Sequence, residues 1–140
     1  MTLTVLDTSA CAAVMRHDAD IERYLAARAP GELALVPPVV AEIEYGIRRL
    51  AENSSKRRLL EGERDRLLGA VRVLDWIPEA SVDFGRLKAA LERNGTPVDD
   101  MDVAIAAIAL SHRADVLTAN IVHFSRFSGL TVRHWRDAEP

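Results

Sequence analysis

Hydrophobic positions along the chain alternate between short runs typical of strands and longer runs spaced as in helices. The short runs predict strands at residues 3–6, 33–36, 71–76, 115–119 and 130–135. The longer runs predict helices at residues 8–15, 20–29, 39–50, 54–68, 78–93 and 103–113. Strands that alternate with helices predict an α/β fold, with three α/β/α layers around a central, mostly parallel sheet of about five strands.

Two of the predicted helices carry information beyond the fold class. Residues 103–110 are all apolar, and a helix that is apolar on every side is a buried helix. The apolar stripe of helix 39–50 leaves Glu42, Gly46 and Arg49 together on another face. Because glycine is a poor helix former, we expect Gly46 to remove side-chain bulk where a substrate or a backbone approaches Glu42.

Three other features have simpler interpretations. We expect the leucines of helix 54–68 to face inward, namely Leu59, Leu60, Leu67 and Leu68. Trp76 and Trp135 close two of the predicted strands and are expected in the core. The basic run at residues 56–58 is interpreted as a solvated helix face.

Polar side chains are predicted to meet at one edge of the sheet. Asp7 follows the first strand, Asn120 follows the fourth, and Asp102 begins the buried helix. Ligands of an open parallel sheet bind beyond the carboxyl ends of its strands, and Glu42 can reach this edge from its helix. Converging carboxylates repel each other, and a hard divalent cation relieves the repulsion. The predicted cation is Mg²⁺, for which Mn²⁺ can substitute. Such a centre suits phosphodiester hydrolysis, and no cysteine or histidine pair has zinc-like spacing.

The composition fits one globular domain spanning residues 1–140, with 49% hydrophobic and 28% charged residues. The net charge of −3 differs from the basic balance of many nucleic-acid-binding proteins, although the basic residues are clustered. The lone Cys11 cannot form an intrachain disulfide and is typical of a reducing compartment. No apolar run approaches the roughly 18–20 residues of a membrane span, and no signal peptide is recognisable. We therefore expect a cytoplasmic protein with no membrane partner.

Five stretches, in order along the chain, resemble the PIN-domain ribonucleases, and specifically the VapC-type toxins of type II toxin–antitoxin systems. They lie at residues 5–9 (VLDTS), 41–46 (AEIEYG), 102–107 (DVAIAA), 117–120 (LTAN) and 124–130 (FSRFSGL). The resemblance implies a PIN-like fold and a Mg²⁺-dependent endoribonuclease that cleaves RNA and is neutralised by a cognate antitoxin. It also implies a homodimer or a toxin–antitoxin hetero-oligomer. A housekeeping PIN nuclease that processes RNA without an antitoxin is the alternative.

The resemblance also implies roles for individual residues. Asp7 and Asp102 would bind Mg²⁺. Glu42 would be the third acid, which either ligates the metal or positions water. Thr8 and Thr118 would be polar helpers.

The chain departs from the family pattern near the fourth strand. Asn120 stands where many PIN domains carry a fourth acid, and His123 stands where relatives often have an acid before the phenylalanine. An asparagine supplies an oxygen ligand but less charge, so the site could use one metal ion or two. Asn120 remains a candidate helper, as does Asp99 in the acidic run before the buried helix.

The same residues also have ordinary structural interpretations. Asp7 could cap the first helix, and Asp102 could stabilise the dipole of its own helix. The histidines show no ligand spacing and are interpreted as structural or exposed, namely His17, His112, His123 and His134. Other functional classes fit less well. A haloacid-dehalogenase-like phosphatase needs an acid where Ser9 stands, a P-loop enzyme needs a Gly-rich loop ending in Lys-Ser or Lys-Thr, and a receiver domain needs an acid pair after the first strand.

Overall fold

The computed structural model describes residues 2–137 and contains a five-stranded sheet at its centre. The strands are β1 (Thr4–Leu6), β2 (Leu33–Leu35), β3 (Arg72–Val73), β4 (Asp115–Leu117) and β5 (Val132–Arg133). They lie in the order β3-β2-β1-β4-β5, and every neighbouring pair is parallel. The predicted α/β class is confirmed, and β1 and β4 are adjacent at the middle of the sheet.

Helices connect the strands, because parallel neighbours require crossover connections. They are α1 (Thr8–Met15), α2 (Ala19–Ala26), α3 (Pro37–Arg48), α4 (Ser55–Ala70), α5 (Pro78–Arg93), α6 (Asp100–Ser111) and α7 (Ile121–Phe124). A short 3₁₀ turn, Pro30–Glu32, precedes β2. The helix that was predicted to be buried is α6, and its residues from Val103 to Ala109 are all buried.

The outer strands are much shorter than the sequence predicts. Strand β3 covers two residues of the predicted 71–76, and β5 covers two residues of the predicted 130–135. Each of these strands has one neighbour in the sheet, whereas β1 and β4 pair on both sides. Apolar residues beyond the paired positions face the core from irregular backbone, as buried Leu74 and Trp135 do.

Helix α3 begins at Pro37, two residues earlier than predicted. Two consecutive prolines, Pro37 and Pro38, occupy its first helical positions. The backbone N–H groups there have no partner within the helix, so a missing N–H costs nothing, and the fixed φ of proline suits the first turn.

Three further expectations are wrong. Leu59 and Leu68 of α4 are exposed, whereas Leu67 is buried as predicted and Leu60 is half-buried. Arg57 is buried rather than solvated, and its guanidinium donates a hydrogen bond to the backbone oxygen of Leu50 at 3.1 Å. Trp76 is 44% exposed, whereas Trp135 is buried as expected.

In the part of the chain that the structure describes, no helix combines the length and the apolarity needed to cross a bilayer.

The burial of individual leucines predicts how much each contributes to the free energy of unfolding. We expect Leu87→Ala to lower the free energy of unfolding by about 2–5 kcal/mol, because Leu87 of α5 is buried and its loss leaves a cavity. Leu59→Ala is the matched control, since Leu59 is 64% exposed on α4 and should change stability by less than about 0.5 kcal/mol. Urea unfolding followed by circular dichroism measures both, and equal losses would contradict the assigned burial.

Candidate active site

The first acid of the site, Asp7, is held at the carboxyl end of β1. Its backbone N–H donates to the oxygen of Leu117 in β4 at 3.1 Å, which fixes it beside the neighbouring strand. The carboxylate is 4% exposed and accepts hydrogen bonds from Thr118 Oγ1 at 2.5 Å, Ser9 Oγ at 2.7 Å and the Ala10 backbone N–H at 2.9 Å. Burial raises the pKa of Asp7, and these hydrogen bonds oppose the increase.

The Ala10 contact makes Asp7 the cap of α1, so its ordinary structural interpretation is correct. The cap uses Oδ1, whereas Thr118 contacts Oδ2. The capping bond needs only Asp7 and Ala10, whereas Thr118 lies 111 positions away in sequence and has no part in the cap. The contact with Thr118 therefore shows that Asp7 also belongs to a polar network that spans β1 and β4.

Ser9 belongs to this network, although the sequence analysis assigned it no role. Its hydroxyl donates to Asp7 and accepts from the backbone N–H of Ala119 at 2.9 Å. The backbone N–H of Asn120 in turn donates to Thr118 Oγ1 at 2.8 Å. The signal that could have identified Ser9 was its place in the segment 5–9, two residues after Asp7. The network ties the loop after β4 to the start of α1.

The second acid, Glu42, approaches from α3. Thr8, the first residue of α1, donates its hydroxyl hydrogen to Glu42 Oε1 at 2.5 Å. This contact places Glu42 next to the residue that follows Asp7. Thr8 thus orients a carboxylate, as a polar helper would.

The third acid, Asp102, lies in the first turn of α6 and is half-buried. The pKa of Asp102 is raised to about 6, first by burial and then by the negative charges of Asp99, Asp7 and Glu42, in that order. Because charges act strongly only at short range, the carboxylates of these residues lie near Asp102. The three acids that the sequence singles out therefore share one region of negative potential.

Asp99 contributes in a different way from the other acids. It caps α6 by accepting the backbone N–H of Met101 at 3.2 Å. Its charge still acts on Asp102. The structure thus gives Asp99 a definite local role and places it at the border of the acidic cluster.

Asn120 and His123 also lie at this border. The side-chain nitrogen of Asn120 is 2.7 Å from His123 Nδ1, and the same Nδ1 is 4.0 Å from Asp102 Oδ2. In its protonated form His123 lowers the pKa of Asp102. His123 was expected to be structural or exposed, and its side chain is 46% exposed as expected, but it also lies beside Asp102. Its position in the place of a family acid was the signal that could have identified it.

The remaining histidines serve structural contacts. His17 lies 3.0 Å from Glu22 and 2.9 Å from Glu63, and His112 lies 2.9 Å from a backbone oxygen. His134 stacks on Trp135 with ring centroids 4.4 Å apart.

The donor set fits a hard divalent cation. Within residues 2–137, no three His, Cys, Asp or Glu side chains are close enough together to enclose a metal ion as they stand. Mg²⁺ does not need such a cage, since it keeps several waters and is typically bound through one or two carboxylates. Asp7, Glu42 and Asp102 supply only oxygen, and the raised pKa of Asp102 records a negative potential that a cation would neutralise.

A groove of about 380 Å³ leads away from Glu42 between α1 and α3. Its lining includes Thr8, Arg16, Glu42, Gly46, Arg49 and Leu60, which confirms that one face of α3 carries Glu42, Gly46 and Arg49. A Cβ atom built on Gly46 would meet no protein atom within 4 Å. The glycine therefore serves no close backbone packing, and the absence of a side chain leaves the groove wider beside Glu42.

Comparison with known proteins identifies the family to which the chain belongs. The profile of the PIN domain family matches residues 4–130. The chain belongs to the PIN-domain family. It is 27% identical over 133 residues to Ribonuclease VapC2 of Rickettsia felis, an alignment that covers 94% of this chain and 96% of that protein. It is 28% identical over 131 residues to the tRNA(fMet)-specific endonuclease VapC of Salmonella typhimurium, with the same coverage of 94% and 96%.

Among solved structures, the PIN-domain chain resembles VapBC2 from Rickettsia felis bound to a DNA fragment from their promoter. The TM-score is 0.86 at 25% identity, and the match covers 96% of this chain and 99% of the other. The PIN-like α/β/α architecture is thus shared over nearly the full length of both chains.

Electrostatic repulsion at the site predicts a stabilising substitution. We expect Asp102→Asn to raise the free energy of unfolding of the metal-free protein at pH 7 by about 1–3 kcal/mol. The pKa of Asp102 rises on folding from 3.8 to about 6, so the folded state holds its proton to higher pH than the unfolded chain. The penalty is therefore absent below about pH 4, grows as the pH increases, and is complete above about pH 6.

Urea unfolding in EDTA at pH 4 and pH 7 tests this expectation. Asp100→Asn is the control, because Asp100 lies in the same turn but pairs with Lys88 at 3.0 Å on the surface. That variant should gain no stability at either pH. A gain for Asp102→Asn that is equal at both pH values would contradict the electrostatic explanation.

Proposed function

We propose that this protein is a divalent-metal-dependent endoribonuclease, the toxin component of a type II toxin–antitoxin system, in which residues 1–140 act as one nuclease domain. The observation that carries the proposal is the convergence of three acids: Asp7 follows β1, its neighbour Thr8 contacts Glu42, and the charges of Asp7 and Glu42 act on Asp102. The names of the relatives support the choice of RNA as the substrate, since both are ribonucleases or endonucleases of the VapC type.

Asp7 and Asp102 are the residues that would hold the cation, Mg²⁺ or Mn²⁺. A bound divalent ion lowers the pKa of water and stabilises negative charge on phosphate oxygens. The chain's own contribution is to fix the positions of the ligands. Thr118 and Ser9 hold the Asp7 carboxylate in one orientation, so little reorganisation is needed when the cation and the phosphate bind.

Glu42 is proposed to orient the attacking water for in-line displacement at phosphorus. Thr8 donates to Oε1 of Glu42, which limits rotation of the carboxylate and directs it toward the same edge as Asp7. Positioning of this kind lowers the activation barrier by restricting the nucleophile before reaction.

The groove beside Glu42 fits a single RNA strand. Its lining includes the apolar residues Ala12, Met15 and Ile43, against which a base or a ribose can lie. Arg49 stands two helical turns beyond Glu42, about 10 Å along α3, and within residues 2–137 the structure shows no side-chain partner for it. A cation at that distance can bind a phosphate that flanks the one being cleaved.

An antitoxin partner is proposed from the similarity to chains solved as VapBC complexes. A partner segment that enters the acidic groove could neutralise the carboxylates with an arginine. A short upstream reading frame that encodes a DNA-binding protein would favour the toxin over a housekeeping nuclease.

The proposed activity predicts loss of cleavage without loss of fold. We expect Asp7→Asn, Glu42→Gln and Asp102→Asn each to reduce cleavage of RNA in the presence of Mg²⁺ by about 100-fold or more, and EDTA to abolish it. Even outer partners of metal ligands typically contribute 10–100-fold. Glu44→Gln is the control, because Glu44 bonds Arg48 and Arg64 away from the other acids.

Cleavage of labelled RNA on denaturing gels measures the rates, and circular dichroism verifies the fold. Cleavage that resists EDTA, or that persists in all three acid variants, would rule out the proposed site.

The groove predicts a salt-dependent role for Arg49. In the inactive Asp102→Asn background, we expect Arg49→Ala to weaken binding of single-stranded RNA about three- to tenfold. It should also reduce the slope of log affinity against log salt by about 0.7, the value for one phosphate contact with a single strand. Fluorescence anisotropy at several salt concentrations measures both quantities.

Arg48→Ala is the matched control, because Arg48 is the neighbouring residue and its guanidinium is engaged by Glu44 at 2.8 Å. Equal effects of the two substitutions would place the RNA elsewhere on the surface.

A further inference from the structure

His123 is an exposed residue whose ring lies beside two polar residues of the candidate site, Asn120 and Asp102. It lies in α7, a helix of four residues whose apolar partner toward the core is Phe124. The imidazole makes no contribution to that core, since its side chain is 46% exposed. It instead faces Asn120 and Asp102 through a single ring nitrogen, Nδ1.

That nitrogen presents a lone pair. The Asn120 side-chain nitrogen lies 2.7 Å from His123 Nδ1, and an amide nitrogen can only donate. With Asn120 as the donor, Nδ1 is the acceptor, which is the arrangement of the tautomer with its proton on Nε2. A neutral imidazole whose ring nitrogen offers a lone pair is the form in which histidine binds metal ions.

The distance to Asp102 allows a shared ion. Nitrogen and carboxylate oxygen ligands lie about 2.0–2.2 Å from a first-row divalent metal ion such as zinc, so two ligands of the same ion are at most about 4.3 Å apart. His123 Nδ1 and Asp102 Oδ2 are separated by 4.0 Å. Rotation of the exposed imidazole can shorten this separation, with the ion replacing the Asn120 amide as the partner of the lone pair.

We infer that His123 is a nitrogen ligand of the divalent cation at this site and that it makes the site prefer Mn²⁺ to Mg²⁺. The inference rests on the proposed function for the presence of a cation beside Asp102. Imidazole nitrogen binds transition metals more strongly than it binds Mg²⁺, which prefers oxygen ligands and retains its waters. A histidine in this place therefore adds affinity for Mn²⁺ and little for Mg²⁺.

Electron paramagnetic resonance of the protein loaded with Mn²⁺, without RNA, tests the inference. We expect nitrogen modulation of the electron spin echo in the wild-type protein and its loss in His123→Ala and His123→Glu. His123→Ala should weaken Mn²⁺ binding about tenfold or more and change Mg²⁺ binding, measured by competition, less than twofold. His123→Glu should restore an oxygen ligand and favour Mg²⁺.

His112→Ala is the matched control, because His112 lies at the other end of α6 and contacts the backbone oxygen of Asp75. That variant should retain the nitrogen signal. A wild-type protein that binds no Mn²⁺, or binds it without nitrogen modulation, would overturn the inference and leave His123 as a counter-charge to Asp102.

The outcomes for the two proposals are separable. RNA cleavage without a nitrogen signal would support the nuclease and refute the role of His123. A nitrogen signal without RNA cleavage would support the role of His123 as a metal ligand and refute the proposed nuclease activity.

Discussion

The site depends on one buried carboxylate that the neighbouring strand holds in place. Asp7 is almost completely removed from water, and an acid in that position is costly unless its oxygens are hydrogen-bonded. Thr118, from the end of β4, supplies one of these bonds, and the register that pairs Leu6 with Leu117 brings the two residues side by side. The parallel pairing of β1 with β4 is therefore the constraint from which the rest of the site follows.

The acids around Asp7 are arranged at the expense of stability. Asp102 is half-buried near Asp99, Asp7 and Glu42, and its pKa is raised first by burial and then by the charges of these three carboxylates. The fold tolerates this because Asp102 opens a helix whose next seven residues, from Val103 to Ala109, are all buried. The apolar core thus holds the repelling groups together, and either a proton on Asp102 or a bound cation relieves the repulsion between them.

The parts of this arrangement that the sequence predicts are those encoded locally. Asp7 and Asp102 stand at the end of a strand and the start of an apolar helix, and both boundaries are visible as changes in hydrophobic pattern. The contact between Thr118 and Asp7 joins positions 111 residues apart, and no local pattern encodes it. The exposure of Trp76 and the burial of Arg57 likewise depend on tertiary neighbours. The contacts of His123 with Asn120 and Asp102 were not predictable from periodicity, since its helix has only four residues.

The repulsion around Asp102 also bears on why a histidine, rather than an acid, stands at position 123. A fourth acid beside Asp102 would add to the repulsion from Asp99, Asp7 and Glu42, whereas an imidazole adds none, and in its protonated form it lowers the pKa of Asp102. In its neutral form the ring nitrogen can bind a cation, so the site gains a ligand without gaining negative charge. The consequence is selectivity, because carboxylates attract hard cations such as Mg²⁺ and Mn²⁺ alike, whereas a nitrogen lone pair distinguishes between them.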